Sequence, residues 1–329
     1  MPSQSRDPRV RSTRSSGGDR VKNRVSGAAR ATGSFALLTA LLAAFFTALL
    51  AGEVAAWGAD GHRIVGEIAW QHLDPAVKPR VRALLSGGRY RTLYEACVWA
   101  DRYARGKPEY VWTLPLHYIA VDPAAERVVL DETNCPQGAC VVEAIRTFNR
   151  VLSDPDASRD AKIEALRLAG HFVGDVHQPL HVRHPDGCGG CRTDVRLRNE
   201  KVDLHKLWDS ALLEDILFRR YGGEDGKAPS GSWRKYAREL MERADSAGTE
   251  KVDDLDPLVW AQESLDLART DLFTPSDEIV LPPEYLIRAQ PVLERRLREA
   301  GLRLAGLLNA ALSGDPGRIP YGKDAHGSR

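Results

Sequence analysis

The chain has 329 residues and a formal net charge of +1. Residues 1–56 hold eight Lys/Arg and three Asp/Glu, which leaves 38 basic and 42 acidic residues in the remainder, about −4. That balance excludes a strongly basic protein that coats nucleic acid, so any contact with phosphate rests on a local site or on metal ions. The length suits one large domain or two small ones, with ample core.

The N-terminal part is a basic extension, Met1 to Arg30, and then an apolar run, Phe35 to Leu50, that closes in A-G-E-V-A-A. Val54 and Ala56 are the small residues a signal peptidase reads. A cut after Ala56 makes Trp57 the mature N-terminus. Its free α-amine titrates near neutral pH. Once deprotonated it can bind a metal through nitrogen, with its own carbonyl oxygen in chelating reach. The alternative is an uncleaved membrane anchor, in which no amine exists at Trp57.

From Trp57 onward the pattern is mostly helical, and an α-helical single domain is expected. W-G-A-D-G-H places His62 five residues after Trp57. V-W-A-D ends in Asp101, and L-P-L-H-Y gives His117. Val128 to Leu130 reads as a short strand. Cys135 and Cys140 close a short loop, N-C-P-Q-G-A-C, and an exported protein permits a disulfide there. A helix is expected over Asp160 to Gln178, started by Asp160 or a nearby residue and stopped before Pro179. It carries His171 and Asp175, spaced i, i+4 on one face. His181 follows Pro179 on a turn that can fold back.

Further on, C-G-G-C holds Cys188 and Cys191. A disulfide or structural turn is the preferred reading over a zinc knuckle, because no second pair accompanies it. Cys97 is left over. Val195 to Leu197 is a second short strand. L-H-K-L-W-D repeats the i, i+4 spacing with His205 and Asp209. Gly222 to Gly231 reads as a surface loop, Ile287 to Leu312 as a helix, and residues 314–329 as a polar, mobile tail. There is no Gly-rich phosphate loop and no internal repeat.

A lone histidine on an apolar helix is usually a satisfied core residue. Here five histidines and four carboxyl or amine groups share metal-ligand spacing, and such mixtures suit zinc. Two or more ions about 4 Å apart can hold both the attacking water and the leaving oxygen of a phosphodiester. His177 and His184 have no clear ligand role. His72 reads as exposed, and His326 lies in the tail.

These motifs resemble the zinc-dependent type I nucleases: the fungal single-strand-specific nucleases, the plant bifunctional nucleases and their bacterial relatives. The resemblance runs from Trp57 to about Ser313. Besides the motifs above it includes C-V-V-E-A-I, W-x-x-E-S (Trp260 to Ser264) and A-G-x-R-L-A-x-L-L-N (Ala300 to Asn309). It implies the mainly helical fold shared with zinc phospholipase C, and a site of three zinc ions. Asp101, His117, His171 and Asp175 would hold one. Trp57, through amine and carbonyl, and His62 would hold a second, with Asp175 bridging. His181, His205 and Asp209 would hold the third.

By the same resemblance, a water between the bridged pair attacks phosphorus in line, Asp101 orients or deprotonates it, and the third zinc stabilises the departing 3′ oxygen. The implied enzyme is a secreted or periplasmic monomer that cuts single-stranded DNA and RNA to 5′-phosphate products, with 3′-nucleotidase activity as a further expectation. It has no stable membrane association after cleavage. Tyr118 matches an aromatic on which a base stacks. Arg102 and Arg105 stand near the position where the family often has a basic residue, here Ala104. Ala120, Cys191 and Asp203 also depart from the usual residues. The competing readings are a zinc phospholipase C and a non-catalytic periplasmic zinc-binding protein.

Overall fold

The structure is a computed structural model. It describes residues 57–122, 124–182, 188–198, 200–223, 227–247, 254–273 and 279–314. The expected leader over residues 1–56, His184, His326 and the tail beyond Gly314 lie outside the described residues. Among the described residues, no helix is long and apolar enough to cross a membrane.

The expectation of a mainly helical protein holds. In chain order the helices are α1 (Ala59–His72), α2 (Lys78–Leu85), α3 (Leu93–Cys97), α4 (Val141–Ser153), α5 (Arg159–Val176), α6 (Leu204–Lys206), α7 (Leu212–Tyr221), α8 (Ser232–Ala247), α9 (Pro257–Ala268) and α10 (Pro283–Leu312). The longest, α10, packs along α1. Helix α5 packs along α4 and also touches α1, α3 and α10. This makes α5 a central element, and seven of its last nine residues, Leu168 to Val176, are apolar or glycine, interrupted only by His171 and Asp175. All eleven side chains or backbones from Ala165 and Leu166 through Leu168 to Val176 are buried. A helix that is apolar all round belongs inside a protein, so the two polar residues on it are carried into the core.

Helix boundaries follow local chemistry. The Ser158 side chain accepts the Ala161 N–H and starts α5, two residues before Asp160. Thr92 and Glu95 form a reciprocal capping box on α3. Such caps each contribute about 1 kcal/mol. The expected helix over Ile287 to Leu312 begins one turn earlier, at Pro283, where a proline at the first position costs no hydrogen bond.

Of the two expected strands, Val195 to Leu197 lies within β1 (Asp194–Leu197). It pairs antiparallel with β2 (Glu200–Asp203), Val195 opposite Val202, and parallel with β3 (Ile279–Val280), in the order β2-β1-β3. Val128 to Leu130 is not a strand. The Val128 N–H is bound by the Gln262 side chain at 2.9 Å, so α9 takes the donor a ladder would use. Both disulfides form within their motifs, Cys135–Cys140 and Cys188–Cys191, and Cys97 is free and buried.

Candidate metal centre

Three groups of ligand atoms converge, each within 4.8 Å: His62, His171 and Asp175; Asp101, His117 and His171; and His181, His205 and Asp209. These are eight of the nine residues singled out as ligands from the sequence. The i, i+4 spacing of His171 and Asp175 on α5 puts His171 Nε2 3.4 Å from Asp175 Oδ2. The two oxygens of Asp175 face different ways. Oδ1 lies 3.3 Å from His62 Nε2, and Oδ2 lies 2.9 Å from His117 Nδ1. The His62 and His171 rings stack, with centroids 4.0 Å apart.

His62 reaches this point because α5 has a glycine facing it. A Cβ on Gly174 would stand 2.7 Å from His62 Nδ1 and 3.7 Å from the Trp57 ring. Trp57 is fully buried beside the same glycine. The next residue ties the start of the domain to the third group, since the Gly58 N–H donates to the Asp209 carbonyl at 2.5 Å.

The carboxylates of Asp101 and Asp209 share a feature that periodicity does not reveal. Each sits on a π-helical turn, Ala100–Ala104 and Leu207–Ala211. Such turns insert one extra residue per turn and recur at functional sites. Asp203, where the family usually has asparagine, caps α6 by accepting the Lys206 N–H at 2.8 Å. Trp208, beside Asp209, donates to the Tyr285 hydroxyl and stacks on Phe273.

The residues fit divalent ions. His171 Nδ1 donates to the Cys97 carbonyl at 2.8 Å, His181 Nδ1 to the His117 carbonyl at 2.7 Å, and His205 Nδ1 to the Gly189 carbonyl at 2.9 Å. A carbonyl only accepts, so in each ring Nδ1 carries a proton and Nε2 is the nitrogen aimed inward. That outer hydrogen bond is how proteins orient a histidine ligand. Both ring nitrogens of His62, Oδ1 of Asp101 and Asp175, and Nε2 of His205 are buried without a hydrogen-bond partner. A buried polar atom left so costs about 1–3 kcal/mol, and several of them aimed at common points fit shared cations.

Burial, reinforced by the charges of His171, His117 and His181, holds His62 well below the ordinary imidazole range. Burial brings His117 down to about 4, against the pull of Asp101. Both are neutral at pH 7, the form in which imidazole can bind a cation. Burial also pushes Asp175 and Asp209 upward. His205 behaves oppositely: burial opposes its charge, but Asp209, 3.1 Å away, prevails and raises it to about 9.

Sequence reasoning gave His177 no role. It is buried, its Nδ1–H on the Val173 carbonyl at 2.7 Å and its Nε2 accepting from Arg303 at 2.8 Å. Burial and the charges of Arg296 and Arg303 keep it neutral. Glu263 holds both arginines, while Ser264 accepts from Arg296 and donates to the Val176 carbonyl. This network fastens the C-terminus of α5 to α9 and α10, just past Asp175. Glu263 and Ser264 come from W-x-x-E-S and Arg303 from A-G-x-R-L, motifs visible in the sequence without a job attached, and Arg296 lies one turn before the second.

A cleft of about 260 Å³ opens on this centre, lined by Gly58, Arg63, Arg102, Asp209 and Ser210 among others. Arg102 is exposed on its rim. Arg105 lies 3.7 Å from Asp101 Oδ1. Tyr118 follows His117 directly, half-buried, its carbonyl accepting the Val141 N–H. A larger cavity, about 590 Å³ between α2 and the ends of α4 and α10, contains none of the ligands.

Buried, convergent histidine and carboxylate groups are the donor set of a divalent-metal site. A sequence model of the S1/P1 Nuclease family matches residues 57–313. Endonuclease 2 of Arabidopsis thaliana is 30% identical over 269 residues, covering 79% of this chain and 91% of that protein. Nuclease P1 of Penicillium citrinum is 27% identical, covering 77% and 97%, and nuclease S1 of Aspergillus oryzae is 27% identical, covering 81% and 96%. The chain belongs to the S1/P1 nuclease family. It is therefore a hydrolase of phosphodiester bonds, with nucleic acid as its substrate, in a family that depends on metal.

Proposed function

We propose that this chain is an exported enzyme that uses three zinc ions to cut single-stranded DNA and RNA, leaving 5′-phosphate ends, and that it also acts as a 3′-nucleotidase. The observation that carries the reading is the set of three ligand groups, each within 4.8 Å, in one buried centre. Asp101, His117, His171 and Asp175 would hold one ion. His62 and the Trp57 amine and carbonyl would hold a second, shared through Asp175, and His181, His205 and Asp209 a third. When bound, such ions lower the pKa of water and neutralise charge on a phosphate.

The chain's own groups do the rest. The Asp101 carboxylate, with Oδ1 free of hydrogen bonds and Arg105 beside it, accepts the proton of the attacking water. Arg102 and Arg63 on the cleft rim receive phosphate charge. Tyr118 offers a face to an unpaired base, which a base inside a duplex cannot reach. Two disulfides support an oxidising destination, and removal of residues 1–56 exposes the Trp57 amine.

The test is cleavage of denatured DNA by two purified forms, one beginning at Trp57 and one retaining Ala56, each with chelator and with zinc restored. Zinc-dependent cleavage by the Trp57 form alone is expected. Equal cleavage by both forms would remove the amine from the site.

A further inference from the structure

The loop that holds His205 in place is C-G-G-C. The Gly189 carbonyl accepts the His205 Nδ1–H at 2.9 Å, leaving Nε2 3.1 Å from Asp209 Oδ2. A backbone carbonyl points where its own and the next residue's dihedrals send it, and here both are glycines with positive φ, +68° at Gly189 and +93° at Gly190. Glycine is the residue with most freedom to leave such a conformation. The loop also fits closely on its other side. A Cβ on Gly189 would lie 2.6 Å from the Leu180 carbonyl oxygen, beside His181, and 2.9 Å from His205 Nδ1. The Gly-Gly pair thus touches the surroundings of two of the three groups in the His181, His205 and Asp209 set. The Cys188–Cys191 disulfide spans it.

We propose that the Cys188–Cys191 disulfide is a positioning element for that third ligand group. By closing the Gly189–Gly190 turn it keeps a carbonyl on the outer nitrogen of His205, and so sets how tightly the group holds its ion. The inference rests on the metal-centre reading above. It also makes retention of one ion depend on thiol chemistry, because Cys191 is exposed while Cys135 and Cys140 are buried. Cys97 does not compete in exchange: it is buried, and burial pushes its thiol far above the ordinary range.

Opening the disulfide takes two electrons. A water-soluble phosphine supplies them by attacking one sulfur, water gives the phosphine its oxide oxygen, and the released sulfurs take two protons to become thiols. Loss of the clip frees the glycine turn, and the His205 ring loses the bond that fixes its orientation. Outer-shell partners of this kind are worth roughly 10–100-fold in metal affinity.

The experiment measures zinc per chain in graded zinc buffers for the processed protein, for Cys188→Ser/Cys191→Ser, and for Cys135→Ser/Cys140→Ser as control. One of three ions is expected to weaken about 10–100-fold in the first variant, with the other two unchanged and the control like the parent. A second arm avoids variants that fail to fold. The parent is reduced with phosphine, alkylated and desalted, and Cys188/Cys191 labelling is mapped against zinc affinity. Weakening of one ion in step with that labelling supports the proposal. Three ions held at parental affinity after complete labelling, or in a folded Cys188→Ser/Cys191→Ser protein, would overturn it while leaving the three-zinc reading intact. A parent that binds no zinc would overturn both.

Discussion

The centre has two halves built by different means. His62, His171 and Asp175 project from α1 and α5, two long helices packed in the core, and burial, reinforced by neighbouring histidines at His62 and by Arg105 at His117, drives His62 and His117 toward the neutral form a cation requires. His181, His205 and Asp209 come from a short 3₁₀ turn (Pro179–His181), a three-residue helix and a π turn. There an opposite charge 3.1 Å away keeps His205 protonated up to about 9. Helix packing supplies most of the order of the first half, with the Cys97 carbonyl fixing the His171 ring. The second half borrows its order from outside: the Gly189 carbonyl, the Asp203 cap, and Gln178, whose Nε2 donates to Asp209 Oδ1 at 2.5 Å while its Oε1 accepts the Leu180 N–H.

The difference predicts where damage spreads. Asp175→Asn removes a carboxylate whose two oxygens face His62 and His117, so the helical half should lose metal while the other half keeps its ion. Cleavage of denatured DNA should fall by more than about 10²-fold, beyond the usual loss from an outer-shell change. Metal analysis of the purified variant beside kcat/KM checks this, and undiminished metal with full activity would defeat it.

Gly174→Ala attacks the same half sterically. The added methyl would meet the His62 ring at 2.7 Å. An overpacked core costs about 1–3 kcal/mol, which should appear as a lower unfolding midpoint in urea together with weaker metal binding. A variant with parental stability and parental metal affinity would mean that the helices part easily, contrary to the rigidity claimed for this half. Gln178→Ala is the matching change in the borrowed half. It should weaken one ion by about 10–100-fold and leave the helical half untouched, as read by metal titration.

Much of the first half was legible in the sequence because its geometry is local. The i, i+4 spacing of His171 and Asp175 on a helix that stops before Pro179 places both groups on one face. The second half was legible only as residue types. Whether Leu207–Ala211 winds as α or π is a matter of one hydrogen-bond register, which apolar periodicity does not encode. The anchors of His171, His181 and His205 are backbone carbonyls 74, 64 and 16 residues away, and a carbonyl leaves no mark in a sequence. The Arg296–Glu263–Arg303 network around His177 was hidden for a related reason. Charged residues on an amphipathic helix read as solvated, yet Arg296 is only 1% exposed. Val128 to Leu130 had strand composition, but a glutamine side chain took its donor.

Acidity should separate the halves in protein stripped of metal. His62 and His117 have folded values below the unfolded one near 6.5. The unfolded chain therefore binds protons first as pH falls, and their contribution, complete above 6.5, is lost progressively toward about 4. For His117 alone this is about 3 kcal/mol. His205 has the opposite sign. Its contribution is complete below 6.5 and disappears as pH rises through about 9. Urea unfolding of metal-free protein should show both flanks, and His205→Asn should flatten only the alkaline one. A flat alkaline flank in the parent would deny the His205–Asp209 charge pair.

The smallest effect is expected outside both halves. Tyr118 extends from His117 but coordinates nothing, and its backbone is fixed by the Val141 N–H, so Tyr118→Ala should leave both halves and their metal intact. What it removes is a ring on which a base can stack, worth about 1–3 kcal/mol per base. At the low end of that range, KM for single-stranded substrate should rise about fivefold while kcat holds, as expected of a ring that binds substrate and transition state alike. A fall in kcat at constant KM would instead place Tyr118 with the groups that position the reacting phosphate. It would then count as part of the helical half through His117, and the boundary between binding surface and metal centre would have to be redrawn one residue further out.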